Sequence, residues 1–292
     1  MNGVDFKLRN GFFLLLLTII TLFSGCDKKQ LLSIHIIDVG QGDSILIQTP
    51  NSKNILVDAG DEDSEYIVEK YLKKEKIKSL DMIIASHPDA DHIGSLDHII
   101  DNFQVKNVYM PEQSTNSTSY KNLVSSCNNK NLDINYLYKG DSISVDKDID
   151  MLVLSPSYIQ DKNNLNSIVF ELNFKDKSFL FTGDSELPNE VDIIDSFNLD
   201  NVDFLKVGHH GSSSSTSLEF LEETTPDVAV ISCGYKNQYG HPHEKTLNNL
   251  KENNILVYRT DVIGDIVFFS DGETIFTKKN YDYNKLLYIK DK

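Results

Sequence analysis

Short apolar runs with strand character recur along the chain at 33–38, 44–49, 54–58, 81–85, 106–109, 151–154, 167–174, 178–182, 203–207, 227–232, 256–259 and 264–269. Their length and apolar content predict strands. Helical spacing appears between several of them. Residues 64–76 carry Ile67, Val68, Tyr71 and Leu72 on one predicted face, and 94–102, 118–127, 188–196 and 244–252 predict further helices. Short turns at Gln41-Gly42 and Asn51-Ser52 separate the first three strands, which predicts an antiparallel meander. Later strands alternate with helices. The pattern predicts a mixed α/β (α+β) domain, with two sheets packed face to face and helices covering both outer faces.

The first 25 residues follow a different logic. Lys7 and Arg9 give a basic start, an apolar stretch runs from Phe12 to Phe23, and Ser24-Gly25-Cys26 closes it. That stretch suits the core of a signal peptide and is short for a bilayer span. Small residues just before a cysteine resemble the lipobox of bacterial lipoproteins. Residues 1–25 are therefore expected to be a lipoprotein signal peptide and Cys26 the lipidated residue. The expected location is the outer face of the cytoplasmic membrane, with membrane contact through the lipid. An uncleaved N-terminal anchor would place the rest of the chain on the same side. Residues 26–292 are expected to form a single domain, long enough for a well-buried core. Cys127 and Cys233 lie far apart with no CxxC spacing, so they are expected as thiols rather than metal ligands.

Charge narrows the partners. The formal net charge is −16, a balance that repels nucleic acid and anionic lipid unless bound metal or a local basic patch offsets it. Some of the aspartates stand where metal ligands would. The sharpest segment is Ser86-His87-Pro88-Asp89-Ala90-Asp91-His92-Ile93-Gly94, after the apolar Ile83-Ile84-Ala85. Two imidazoles and two carboxylates fall within six residues on a loop between a strand and a predicted helix. Alternating ligands on such a loop can serve two neighbouring positions, and imidazole with carboxylate suits zinc, manganese or iron. An N-cap aspartate would account for one carboxylate, not for four ligand-type residues together.

At these residues the chain resembles the metallo-β-lactamase superfamily, and within it the hydrolase domain of competence proteins of the ComEC/Rec2 type. The superfamily pattern HxHxDH becomes HxDxDH here, with Asp89 as the exchanged position, which is typical of that branch. The resemblance extends in order through His35-Ile-Ile-Asp38-Val-Gly40-Gln41-Gly42-Asp43-Ser44, Ile55-Leu-Val-Asp58-Ala-Gly60 and Asn166-Ser167-Ile168-Val169. It continues through Phe181-Thr182-Gly183-Asp184, Val207-Gly208-His209-His210-Gly211-Ser212, Gly240-His241-Pro242-His243 and Arg259-Thr260-Asp261 with Gly264.

The resemblance implies a four-layer αββα sandwich and a site for two divalent metal ions, zinc first and manganese as the alternative. His87 and Asp89 would hold the first ion, and Asp91 and His92 the second, with Asp184 between them. One of His209 and His210 would complete the second site, with His210 preferred. Asn166 stands where many members carry a histidine, and an amide oxygen is a weak ligand for zinc. Asp58 is expected to orient a ligating histidine rather than to bind metal itself. Asp91 is also given a catalytic part, with His241 and His243. These two histidines lie in a glycine-rich loop expected to be mobile, placed to bind a substrate phosphate or protonate a leaving group. His35 and His98 are expected to be structural.

Two such cations roughly 3.5–4 Å apart lower the pKa of a shared water and supply hydroxide as nucleophile. The function implied is a metal-dependent phosphodiesterase or nuclease acting on DNA outside the membrane. Phosphorylcholine or teichoic-acid esters of the cell wall are the alternative substrates, as resemblance to phosphorylcholine esterases of the same superfamily implies. A non-catalytic surface-binding lipoprotein is the alternative outside enzymes, and retention of His87, Asp91, His92 and Asp184 counts against it.

Overall fold

The computed structural model describes residues 31–199 and 201–279, so the signal peptide expected at 1–25 and Cys26 lie outside the described residues. One eight-stranded sheet runs in the order β17-β16-β1-β2-β3-β5-β7-β8. Its strands are β1 (Leu32–Ile36), β2 (Ile45–Gln48), β3 (Asn54–Val57), β5 (Met82–Ile84), β7 (Val108–Met110), β8 (Ile134–Tyr136), β16 (Ile266–Ser270) and β17 (Ile275–Phe276). The second sheet has seven strands in the order β15-β14-β13-β12-β11-β10-β9. These are β9 (Ser142–Asp146), β10 (Ile149–Ser155), β11 (Val169–Phe174), β12 (Lys177–Phe181), β13 (Phe204–Lys206), β14 (Val228–Ile231) and β15 (Leu256–Arg259). A small parallel pair joins β4 (Ser79–Leu80) to β6 (Gln104–Val105).

Alternation along each strand builds the layers. In β2, Ile45 and Ile47 enter the core between the sheets while Leu46 faces outward. In β12, Phe179 and Phe181 point inward while Leu180 joins the opposite outer core. The central core is aromatic: the Phe170 and Phe181 rings stack at 4.8 Å and Phe204 meets Phe268 edge-on at 5.1 Å. Each such side chain contributes about 1.5–3 kcal/mol by leaving water. On the first sheet's outer face pack α1 (Glu65–Lys74), α2 (Ala90–Ile93), α3 (Leu96–Asn102) and α4 (Thr118–Asn129). The second sheet carries α5 (Leu187–Ile194), α6 (Leu218–Thr224) and α7 (Glu244–Glu252), and α8 (Thr260–Ile263) follows β15. The architecture is therefore the four-layer αββα sandwich.

The antiparallel meander of β1, β2 and β3 is present. Ile67, given to the buried face of α1 by its spacing, is 45% exposed, and Val68, Tyr71 and Leu72 make the contact instead. Strands β4, β6, β8, β9 and β17 and helices α2, α6 and α8 lie outside the segments that the sequence pattern predicts. Cys127 and Cys233 are buried free thiols in opposite outer cores. Among the described residues no helix is long and apolar enough to cross a membrane.

Two runs of parallel strands matter for function: β3-β5-β7-β8 in one sheet and β12-β13-β14-β15 in the other. The loops leaving the carboxyl ends of β3, β5, β12, β13 and β14 meet, the usual place for a site in a sheet with parallel strands. The β1–β2 turn closes over them. Gly42 there has φ 135°, and a Cβ on it would lie 2.3 Å from the Asp91 carbonyl oxygen, which the Asp43 N–H contacts at 3.2 Å. Only glycine allows that approach.

Candidate metal centre

Every ligand candidate sits just past a strand end. Asp58 follows β3, and Ser86 and His87 follow β5. Asp89, in extended backbone, leads into α2, whose first turn carries Asp91 and His92. Asp184 follows β12 after Gly183. His209 and His210 follow β13 and both adopt left-handed backbone, with φ of 46° and 54°. Two adjacent non-glycine residues in that region cost roughly 1–3 kcal/mol each, so the surroundings must hold them. Gly208 is fixed through Thr216 Oγ1 and Ser215 Oγ, and the Ser212 N–H donates to the His209 carbonyl at 2.8 Å.

The side chains converge. Asp184 faces four imidazoles: His92 Nε2 at 3.3 Å, His210 Nε2 at 3.5 Å, His209 Nε2 at 3.6 Å and His87 Nε2 at 4.0 Å. Asp91 Oδ2 lies 3.4 Å from His210 Nε2, and Asp89 Oδ2 lies 3.5 Å from His87 Nε2. In three of these histidines the far nitrogen is already spoken for. His92 Nδ1 donates to Asp58 Oδ2 at 2.8 Å, and His210 Nδ1 donates to the Ser232 carbonyl at 2.9 Å. Ser86 Oγ donates to Asp58 at 2.6 Å and so accepts from His87 Nδ1 at 3.1 Å. These bonds fix the tautomers and aim every Nε2 inward. Nε2 of His87, His92 and His210 and Oδ1 of Asp184 are buried without a hydrogen-bond partner.

The charges explain how such groups coexist. Burial raises the Asp184 pKa, but His210, His92 and His87 more than offset it and hold the carboxyl well below its usual range. Burial lowers His210, yet Asp184, Asp43 and Asp91 carry it up to about 10. His92 is likewise raised well above its ordinary value by Asp184 and Asp58, against the desolvation. Asp91 falls to about 2, where His210 and His92 outweigh its burial. The cavity thus favours positive charge. Orphaned imidazole nitrogens beside carboxylates are the donor set a divalent cation takes, so the residues fit the metal pair that the fold implies. Four groups of three could hold an ion, His87-His92-Asp184, Asp91-His92-His210, Asp43-Asp58-His92 and Asp43-Asp184-His210, with one ligand atom from each member within 4.8 Å of the others.

The remaining sequence candidates are placed as follows. His210 joins the cluster, whereas His209 sits at its edge, with Nδ1 near Ser214 Oγ at 3.2 Å and Glu186 Oε1 at 3.4 Å. Asp58 holds His92 and the Ser86 N–H. Asn166 spends its amide on a loop: Oδ1 accepts from the Gln160 N–H at 2.7 Å and Nδ2 donates to the Gln160 carbonyl at 2.8 Å. His241 rings His209 at 5.5 Å and has a buried, unpartnered Nδ1. His243 has no free nitrogen, because Nδ1 accepts from the Ser213 N–H and Nε2 donates to the Tyr239 carbonyl. The loop expected to be mobile is braced. The Asn237 amide binds Gly234, Tyr239 and both backbone groups of His241. His35 is structural, bound to Tyr71 and Ser33, and His98 pairs with Glu69.

Two functional-site residues escaped sequence reasoning. Asp43 is buried 3.6 Å from His210 Nδ1 and forms a 2.8 Å ion pair with Lys206, itself buried. A signal for Lys206 existed, since alternation in β13 puts it on the inner face with Phe204. Replacing Asp58 with Asn keeps an acceptor for Ser86 but removes the charge that orients His92. Metal affinity is expected to fall about 10- to 100-fold with the fold retained. Competitive chelation measures it, and unchanged affinity would remove Asp58 from the site.

The comparisons with known proteins agree with this geometry. Over 254 residues the chain is 32% identical to ComE operon protein 3 of Bacillus subtilis, covering 80% of this chain and 32% of that protein. Over 272 residues it is 30% identical to Recombination protein 2 of Haemophilus influenzae, covering 90% of this chain and 32% of that protein. The chain thus spans about one third of the length of these relatives. CmlA, a diiron beta-hydroxylase from Streptomyces venezuelae, superposes with a TM-score of 0.56 at 13% identity, covering 81% of this chain and 53% of CmlA. At that identity the likeness is one of fold, and fold alone does not fix the reaction. The pattern of the metallo-beta-lactamase superfamily matches residues 37–126 and 134–235, which include the β3, β5, β12 and β13 loops, and the chain belongs to that superfamily.

Proposed function

We propose that the chain is a two-metal phosphodiesterase that cleaves DNA outside the cytoplasmic membrane, held there by lipid on Cys26. The observation that carries the hydrolase reading is the set of four inward, buried, unpartnered ligand atoms on His87, His92, His210 and Asp184. In this reading His87, Asp89 and Asp184 hold one ion, and Asp91, His92, His210 and Asp184 hold the other. Three imidazoles with carboxylates favour zinc, and manganese is the second choice. Bound ions would lower the pKa of an attacking water and neutralise charge developing on the phosphoryl oxygens. Asp58, Ser86 and the Ser232 carbonyl hold the imidazoles so that no reorganisation is needed on binding. The His241 ring lies beside this cluster, 6.2 Å from that of His210.

Two similarities support DNA as substrate: the chain resembles ComE operon protein 3 and Recombination protein 2 over most of its own length. Bound ions would supply local positive charge for a phosphodiester in a chain of net charge −16. The test assays the metal content of the full chain, then cleavage of linear DNA and bis-p-nitrophenyl phosphate with zinc or manganese. Metal-dependent cleavage of both is the expected result. Cleavage of the small ester alone would replace DNA with wall or choline phosphodiesters, and no metal with no cleavage would defeat the hydrolase reading.

A further inference from the structure

The loop between β14 and α7 carries aromatic side chains that the hydrolytic reading does not use. Tyr239 stacks on His241, with ring centroids 5.7 Å apart and planes 24° from parallel, and is still 55% exposed. Much of the side chain therefore remains accessible to a ligand. The stack continues inward, because the His241 ring lies near-parallel to that of His210 at 6.2 Å. Near-parallel rings thus lead from exposed Tyr239 through His241 to buried His210, a residue of the cluster. The loop is also stiff. Asn237 ties its backbone together, His243 clamps the Tyr239 carbonyl, and the Gly234 N–H donates to Gln41 on the opposite sheet at 3.2 Å. A platform ordered before binding loses little entropy when a ligand settles on it. Beside it, exposed Lys236 brings a cation to the same loop, its Nζ 5.2 Å from the centre of the Tyr235 ring. An exposed tyrosine ring, an ammonium on the same loop and the proposed phosphodiester-cleaving centre together match one chemistry: a base joined to a phosphate.

We propose that Tyr239 is a stacking platform for the base of an unpaired nucleotide next to the scissile phosphodiester. The assignment rests on the phosphodiesterase reading and narrows its substrate to single-stranded nucleic acid. A base inside a duplex keeps its faces stacked on its neighbours, whereas an unpaired base offers a face to a side chain. Every base has such a face, so the platform discriminates single from double strand without reading sequence.

The chain contains no tryptophan, so Tyr239→Trp makes the platform its single indole reporter. Full chain carrying this substitution, loaded with zinc, is titrated with thymidine 5′-monophosphate, deoxyribose 5-phosphate and phosphorylcholine. Quenching by the nucleotide and not by the sugar phosphate is expected. Tyr66→Trp, on α1 against His98, should show no nucleotide quenching. Quenching by phosphorylcholine alone would overturn the proposal and assign the loop to a quaternary ammonium, and absence of nucleotide quenching also overturns it. Kinetics give a second readout. The wild-type protein should prefer a single-stranded oligonucleotide over the same strand made abasic at the cleaved step by about five- to 150-fold in kcat/KM, through KM. Tyr239→Ala should erase that preference and Tyr239→Phe should retain it. If the preference survives Tyr239→Ala, the platform is wrong while the hydrolase stands. If no phosphodiester is cleaved, the earlier reading fails, and the quenching titration still decides the platform.

Discussion

Asp184→Asn is expected to strip metal from the protein and lower phosphodiester turnover by about a thousandfold or more. The carboxylate contacts His87, His92, His209 and His210 within 3.3–4.0 Å, so it touches histidines of both proposed ion sites at once. An amide of the same shape cannot balance the positive charge of two ions. Losing the several kcal/mol of charge stabilisation that such ions supply corresponds to three or more decades in rate. His92→Ala should also lower metal content and turnover, because in the proposed arrangement His92 is a ligand of the second ion. Elemental analysis of the purified variants and initial rates on bis-p-nitrophenyl phosphate measure the two effects. Full metal content with turnover within tenfold of wild type would show that Asp184 does not lie between two ions. Circular dichroism separates loss of the site from loss of the fold.

The second large effect concerns stability. Lys206→Met should cost about 3–5 kcal/mol, because Asp43 is left charged and buried without its 2.8 Å partner. Burial alone would raise the Asp43 pKa, yet Lys206 and His210 hold it below the normal carboxylate range, so the group is an anion in the folded protein. For a domain of this size the loss corresponds to roughly 6–20 °C in Tm. Asp43→Asn in the same background removes the stranded charge and should recover much of the loss. A double-mutant cycle by thermal denaturation tests this, and simple additivity of the two single losses would show that the pair is uncoupled. His210 also contacts Asp43, so the pair also steadies an edge of the metal cluster.

How far the sequence led depends on where information sits along the chain. Strands such as β2, β11 and β12 were legible because Ile, Leu and Phe alternate between two buried faces. Strand β8 was not, because Asn135 and Tyr136 are exposed at a sheet edge, where no core demands apolar residues. Helix α6 hid behind a serine-rich segment that in fact supplies its N-cap, Ser217. The segment from His87 to His92 was legible since four ligand types crowd one loop. Asp43 and Lys206 were not, since each looks ordinary in its own strand or turn and gains meaning only when the two sheets meet. Asn166 and His243 show what local reading leaves open. Both are ligand-type residues in the right motifs, and the structure employs their polar atoms in holding loops.

The position of β1 has a consequence for the order of events in the life of the molecule. Its two neighbours in the sheet are β2, the next strand in the chain, and β16, among the last. Pairings over so long a separation form slowly and late. Until residues 266–270 exist, β1 has an open edge on one side, able to pair with other chains. A chain with β1 formed and β16 not yet paired therefore remains vulnerable to aggregation. The ligand cluster, built from loops on both sheets, likewise depends on contacts between segments far apart in the chain.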